Sequence, residues 1–370
     1  MPIKIVRRMR SLFLFLSIAL VTTHIQADNF RVNEESIDFD ALYHQIDEAI
    51  SQSSVYVTVR EQKIDTYRDS LMRAKTAEQK ILYAEQLFQL YKSFMNDSAT
   101  HYAEVCINLA ESLHRKDLIG RFRSLLAYQC SNTDRYTEAL DELNKIDRHA
   151  LDSTGLIAYY CAWMHVYGEL GNYSTRKKIR QNYFDLQNLY RDSVLMVAEE
   201  GSEEWLHLKM DILTAQRKFQ DALAISNRWL HIVTEGTHES AFAAFYRSVC
   251  HDYLQNHDQT CYWLGRSAID DIKCAVMNQA SLLFLAEHLA EDGDIERARR
   301  YMDFAMDCNL IFYPRMRTYQ ISSVMNIIEK SNQAAQSRAK TLLIISGVII
   351  VFLIVIIIAL LLTKRKNRLS

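Results

Sequence analysis

Proline and glycine are scarce: the 370 residues hold two prolines and nine glycines, well below the roughly 5% and 7% of ordinary usage. Proline removes a backbone donor and glycine carries the largest backbone entropy, so both interrupt helices. With so little of either, almost every position is free to be helical, and an all-α chain is expected. Catalytic signatures are missing as well. There is no Cys-x-x-Cys, no His-Glu-x-x-His, no glycine-rich phosphate loop and no Gly-x-Ser-x-Gly. No residue is therefore assigned to catalysis, to a metal or to a cofactor, and the chain reads as non-enzymatic.

A basic face is also lacking. Lys4, Arg7, Arg8 and Arg10 lie at the start and Lys364, Arg365, Lys366 and Arg368 at the end, with no acid in either stretch. Removing these eight cations from the formal net charge of −2 leaves −10 for everything between. Nucleic-acid binding needs a positive surface, and an acidic body excludes it as the expected partner.

The terminal cations flank the two apolar runs. Residues 1–27 have the three parts of a secretory signal: a basic start, an apolar run from Leu12 to Val21, and the small-residue pattern Ile25-Gln26-Ala27. The short apolar core favours cleavage over an uncleaved anchor. Thr341 to Thr363 is uncharged and dominated by Ile, Leu and Val. At 1.5 Å per residue its length of about 35 Å matches a bilayer core, so 341–363 is expected to span a membrane. Lys364, Arg365, Lys366 and Arg368 follow, against only Arg338 and Lys340 close before, which places the tail 364–370 in the cytoplasm and the body 28–340 in the periplasm. The expected location is the bacterial inner membrane, single-pass. The span has no Gly-x-x-x-Gly, so dimerisation through it is not expected.

Between the two runs a weak pattern recurs near every 40 residues. Its clearest unit carries Leu282, Leu285, Ala286 and Leu289, a Gly293-Asp294 turn, then Ala298, Met302 and Ala305. Small residues at Ala286 and Ala298 let two helices approach, while the larger ones fill the gap to the next pair. Anchored on the small residue of the second helix, the frame falls on Ala99, Ala139, Arg176, Ala222, Cys261 and Ala298. The Arg176 unit fits poorly and is expected to be distorted. About six such hairpins must stack to bury their apolar stripes, forming a curved tetratricopeptide-like solenoid with a concave face. Asp40 to Lys75 reads as an amphipathic pair capping one end, with Leu42, Ile46, Ala49 and Ile50 on one stripe.

Twelve histidines and seven cysteines form no tight ligand spacing. Cys250-His251 with His257, and His238-Glu239, come nearest. A lone helical His is usually a surface or satisfied residue, and no metal is assigned. The cysteines are an odd set, and Cys106 and Cys261 stand at small-residue positions, which favours buried thiols, with one long-range disulfide left open. Tyr159, Tyr160, Trp163 and Tyr167 recur at helical spacing. Such a stripe reads first as core, yet Tyr160, Trp163 and Tyr167 are also the weak candidates for a groove that binds a protein or peptide partner.

Ile46-Asp47, Tyr56, Arg60-Glu61, Ile64-Asp65, Leu71, Tyr91, Asp97-Ser98-Ala99 and Tyr102 together resemble the N-terminal ectodomain of Bacteroidetes membrane-anchored tetratricopeptide-type regulators. The resemblance implies the order signal peptide, helical repeats, one span, then a cytoplasmic coiled coil and output region linked to transcriptional control. The seven residues after Thr363 depart from that order, so the output segment is expected to be missing or supplied by a separate partner. The leading expectation is a membrane-anchored interaction protein, a sensor or regulatory component. The alternative is a structural envelope scaffold or assembly factor without signalling.

Overall fold

The computed structural model describes residues 37–312 and, beyond them, 340–355 with positions 325, 326, 329, 330, 333 and 337. The expected signal segment 1–27 and the cations Lys364, Arg365, Lys366 and Arg368 lie outside the described residues, as does the end of the expected span. Within residues 37–312 the chain forms fourteen α-helices joined by short turns. They are α1 (Phe39–Ser51), α2 (Ser53–Arg73), α3 (Ala77–Tyr91), α4 (Asn96–Ser112), α5 (Lys116–Ser131), α6 (Tyr136–Asn144), α7 (Ser153–Tyr173), α8 (Lys177–Val197), α9 (Glu203–Ala215), α10 (Phe219–Ile232), α11 (His238–Tyr253), α12 (His257–Lys273), α13 (Ala280–Asp292) and α14 (Ile295–Phe312).

From α3 onward the helices pair into six antiparallel hairpins, as the 40-residue pattern requires. Ala99, Ala139, Ala222 and Ala298 are fully buried and Cys261 is 1% exposed, so the small position is where the two helices of a hairpin meet their neighbours. Polar side chains start several helices: Thr76, Asp152, Ser202 and Asn256 each accept a hydrogen bond from a backbone N–H three residues on, and Thr237 forms a reciprocal capping box with Ser240.

Four hairpins close with one turn. Asp134, Arg217, Gln255 and Gly293 adopt positive φ of 63°, 61°, 58° and 93°. In each case the next N–H reaches back to the preceding helix, as from Arg135 to Cys130 O (3.0 Å) and from Asp294 to Leu289 O (2.9 Å). Only one of the four is glycine. A side chain in the left-handed region costs about 1 kcal/mol, so Gln255→Gly is expected to raise stability by roughly 0.5–1 kcal/mol. Urea denaturation with an unchanged m-value checks this.

The Arg176 unit is regular, not distorted. Arg176 is the N-cap of α8, and the residue in the small position is Arg180, half-exposed on the fourth residue of the helix. Moving the anchor to Arg180 replaces separations of 37 and 46 from Ala139 and to Ala222 by 41 and 42. The hairpin holds without a small residue there because α7 supplies it. A Cβ on Gly171 would lie 2.6 Å from the Phe184 ring, and one on Gly168 would lie 2.6 Å from the Gln187 amide.

The N-terminal helices do not cap an open end. Leu42, Ile46 and Ala49 of α1 are buried against Leu264, Ala268, Leu285 and Tyr301 of the last two hairpins. α1 lies against α12, α2 connects it to α3, and the helices therefore form a closed circuit. Arg60 on α2 is the clasp. It donates from Nε to Leu90 O (2.8 Å) and from Nη1 to Cys274 O (2.6 Å), with its guanidinium 5.3 Å over the Phe94 ring. Alongside, Met277 N donates to Ser93 O at 2.8 Å, and Arg300 pairs with Asp47 at 2.9 Å.

Among the described residues no helix is long and apolar enough to cross a membrane. Residues 340–355 are helical, and the description of the apolar segment stops at 355.

Candidate functional site

A closed circuit of hairpins gives the first helix of each an inward stripe. On α9 that stripe is Glu203, His207 and Asp211, spaced i, i+4, i+8; on α11 it is Glu239, Phe242 and Tyr246. Lys92, at the C-cap of α3, sits in the field of Glu239 and Glu203, although the main neighbours of α3 are α2 and α4. Tyr246 likewise lies in the field of Tyr128 on α5, and Cys161 on α7 in that of Glu204 on α9. Lys92 with Glu203 and Glu239, and Tyr128 with Tyr246, belong to helices distant in the circuit, so these groups face one another across its interior.

Burial dominates the electrostatics there. It pushes the Lys92 ammonium down and the Glu203 carboxyl up, the latter helped by the nearby charge of Glu239. Asp211 is raised for the same reason, opposed by Arg191. Burial holds His207 down at about 4, so its imidazole is neutral at pH 7. The ring is gripped by aromatics: Tyr246 at 4.4 Å, Phe242 at 5.1 Å and Trp229 at 5.4 Å between centroids. Its Nε2 has no partner among the described residues. Phe242 is 38% exposed, so this aromatic pocket has an open side. Next along the interior, Ser131 Oγ lies 2.7 Å from His165 Nδ1, and the Tyr128 ring lies tilted against His165 at 4.3 Å.

The residues first singled out lie elsewhere. Trp163 is 7% exposed, held between Tyr167 at 5.2 Å and Tyr190 at 5.5 Å in near-parallel stacks. Tyr160 and Tyr167 are half-buried, and each also contacts Tyr190. This stripe glues α7 to α8, and the part of it that remains reachable is the edge of Tyr160 and Tyr167. Of the histidine pairs, His238 Nδ1 pairs with Asp271 at 2.7 Å, while Cys250 contacts Thr214 and His251 is buried. Among the described residues neither pair gathers a third ligand, while His257 lies with Cys261 and His288 instead. All seven cysteines are free thiols, and Cys106 and Cys261 are buried as expected.

A second concavity of about 380 Å³ lies between α10, α11 and α12, lined by Val233, Tyr262, Trp263, Arg266 and Asp270. Its charged groups are already engaged. Asp270 accepts from Ser240 Oγ at 2.6 Å, and Arg266 pairs with Glu235. The interior stripe, with half-buried titratable groups beside an open aromatic pocket, is the stronger site.

The SusR N-terminal TPR domain model matches residues 50–323, about three quarters of the chain. The chain belongs to this family. The match begins at residue 50, so α1, which closes the circuit of this SusR-type tetratricopeptide domain, lies almost wholly before it. No curated protein matches the chain.

The inward stripe was missed in the sequence because it is polar. A search for apolar spacing finds the stripes that bury against neighbouring hairpins; Glu203, His207 and Asp211 have the same four-residue period with the opposite chemistry.

Proposed function

We propose that this SusR-type domain is a non-enzymatic, membrane-anchored regulatory component whose inner face binds a protein or peptide partner. The observation that carries the reading is the interior itself: Lys92, Glu203, Glu239 and Asp211 are poised around an open pocket of Phe242, Tyr246 and His207. An aromatic or aliphatic side chain of a peptide fills such a pocket, and its backbone amides and charged groups meet the ring of half-buried ions. Charges kept partly dehydrated before binding lose less hydration when the partner arrives.

Anchoring by 341–363 accords with the exposed side of the C-terminal helix. Leu342, Leu343, Ile344, Val348, Val351 and Phe352 are each more than 60% exposed, a row of large apolar side chains with nothing covering it. Lipid covers it in this reading, with Lys364, Arg365, Lys366 and Arg368 in the cytoplasm. The body then lies in the periplasm, where binding at the inner face is relayed to the membrane helix.

A photo-reactive residue in place of Phe242, in the full chain in intact cells, is expected to give a discrete peptide or protein adduct. The same residue in place of Met72, 71% exposed on α2, is expected to give none. Adding Glu203→Lys and Glu239→Lys should remove the Phe242 adduct. Equal labelling from both positions contradicts the reading.

A further inference from the structure

The second residue of interest at the small position, Cys261, has company that its packing does not require. It lies one turn after His257 on α12, and α13 runs antiparallel beside it with His288 and Asp292 one turn apart. One ligand atom from each of His257, Cys261 and His288 falls within 4.8 Å of the others, and among the described residues no other trio of such groups comes this close. His257 Nε2 is 3.6 Å from Cys261 Sγ and 2.7 Å from Asp292 Oδ2. The two imidazole rings meet edge to face at 5.3 Å.

We propose that His257, Cys261, His288 and Asp292 form a tetrahedral site for a zinc ion, a site independent of whatever the inner face binds. A tetrahedral metal with bonds of about 2.0–2.1 Å to nitrogen and 2.3 Å to sulfur holds that nitrogen and sulfur about 3.5–3.6 Å apart. His257 and Cys261 already stand at that separation. Asp292 is half-exposed at the end of α13, outside the trio that lies within 4.8 Å, and as the fourth ligand it moves inward and exchanges its hydrogen bond with His257 for a metal bond, opening that N to O distance to the 3.2–3.4 Å that the same geometry asks for. Thiolate and imidazole with one carboxylate suit zinc rather than magnesium or calcium, which take oxygen donors.

The surroundings favour a cation. Burial raises the Cys261 thiol to about 12, and the charges of Asp292, Asp258 and Asp252 add to the effect. A negative field that opposes a bare thiolate attracts a dication, and the ion reverses the balance by stabilising the thiolate itself. On binding, the S–H bond breaks, the proton leaves to solvent and the zinc–sulfur bond forms, with no change of oxidation state. The site also ties α12 to α13 where Leu42 and Ile46 of α1 dock, since Cys261 belongs to that same apolar cluster.

The test uses the full chain in detergent, freed of metal with a chelator and titrated with cobalt(II). One equivalent is expected to bind, giving thiolate-to-cobalt charge transfer and visible bands of tetrahedral intensity that zinc displaces. Cys261→Ser should abolish the charge transfer and weaken zinc more than about 100-fold, and Asp292→Asn about 10-fold. Cys250→Ser, a buried thiol beside Thr214, should leave both unchanged. Because His257 is exposed, His257→Gln retains the fold and should cost as much affinity as Cys261→Ser should the latter fail to fold. Absence of charge transfer in the parent chain, weak octahedral bands, or a signal that survives His257→Gln would overturn the proposal.

Discussion

Replacing Arg60 by alanine is expected to destabilise the protein by about 3–5 kcal/mol. The Arg60 guanidinium bonds α3 and the α12–α13 link at once, through Leu90 O and Cys274 O. Burial lowers it to about 10, so it is still charged at pH 7 and its hydrogen bonds are charge-assisted. Alanine leaves two carbonyls facing a void and removes the cation from the Phe94 ring. Arg60→Lys keeps the charge and loses the fork, and about half the destabilisation is expected from it, because one ammonium cannot reach acceptors on both sides. Chemical denaturation of the full chain measures both. Near-equal values for the two variants would show that charge, not geometry, makes the clasp.

The second large effect is acid instability. His251 is 7% exposed, and burial, reinforced by the charge of Arg247, lowers it to about 4; burial alone does the same to His207. Both bind a proton more readily in the unfolded chain, whose histidines titrate near 6.5. Their contribution to stability is therefore complete above pH 6.5 and is lost as the pH falls toward 4. For His251 the loss by pH 4.5 is about 2–3 kcal/mol. His207 acts in the same direction. Glu203, Asp211 and Asp271 have raised values and work in the opposite sense, gaining protons in the folded state as the pH falls. The raw pH profile sums the two, so the His251→Leu variant isolates one: its stability relative to the parent chain should rise by about 2–3 kcal/mol between pH 7 and pH 4.5. A constant difference across that range would mean that His251 is already solvated.

The hairpins were readable in the sequence because each depends on local periodicity. Ala99, Ala139, Ala222 and Ala298 mark them directly, and the scarcity of proline leaves nothing to break them. The Arg176 unit was misread because the rule asks for a small residue on the second helix, whereas here Gly168 and Gly171 on the first helix provide the close approach. Turn glycine was a poor guide for a similar reason: Asp134, Arg217 and Gln255 take the left-handed position that only Gly293 advertises. Closure was illegible. Leu42 and Ile46 announce a buried stripe on α1, but nothing local says that the stripe lies against residues more than two hundred positions later. Arg60 looks like any helical arginine until Cys274 O is placed beside it. The inward stripe and the His257, Cys261, His288, Asp292 group share that property, since each becomes visible only when two helices are laid side by side. Tyr160, Trp163 and Tyr167 were found easily because they repeat on one helix, where Trp163 stacks between Tyr167 and Tyr190.

The central claim is that α1 is docked and the circuit of helices closed. Hydrogen exchange over residues 39–51 tests it most directly, with Gly265→Leu as the comparison, because a Cβ at Gly265 would meet Leu42 at 2.9 Å. In the parent chain the α1 amides should exchange as slowly as those of α12, and in the variant they should exchange like a free peptide while α12 stays protected. Free-peptide exchange over 39–51 in the parent chain itself, with α12 protected, would contradict the closed circuit.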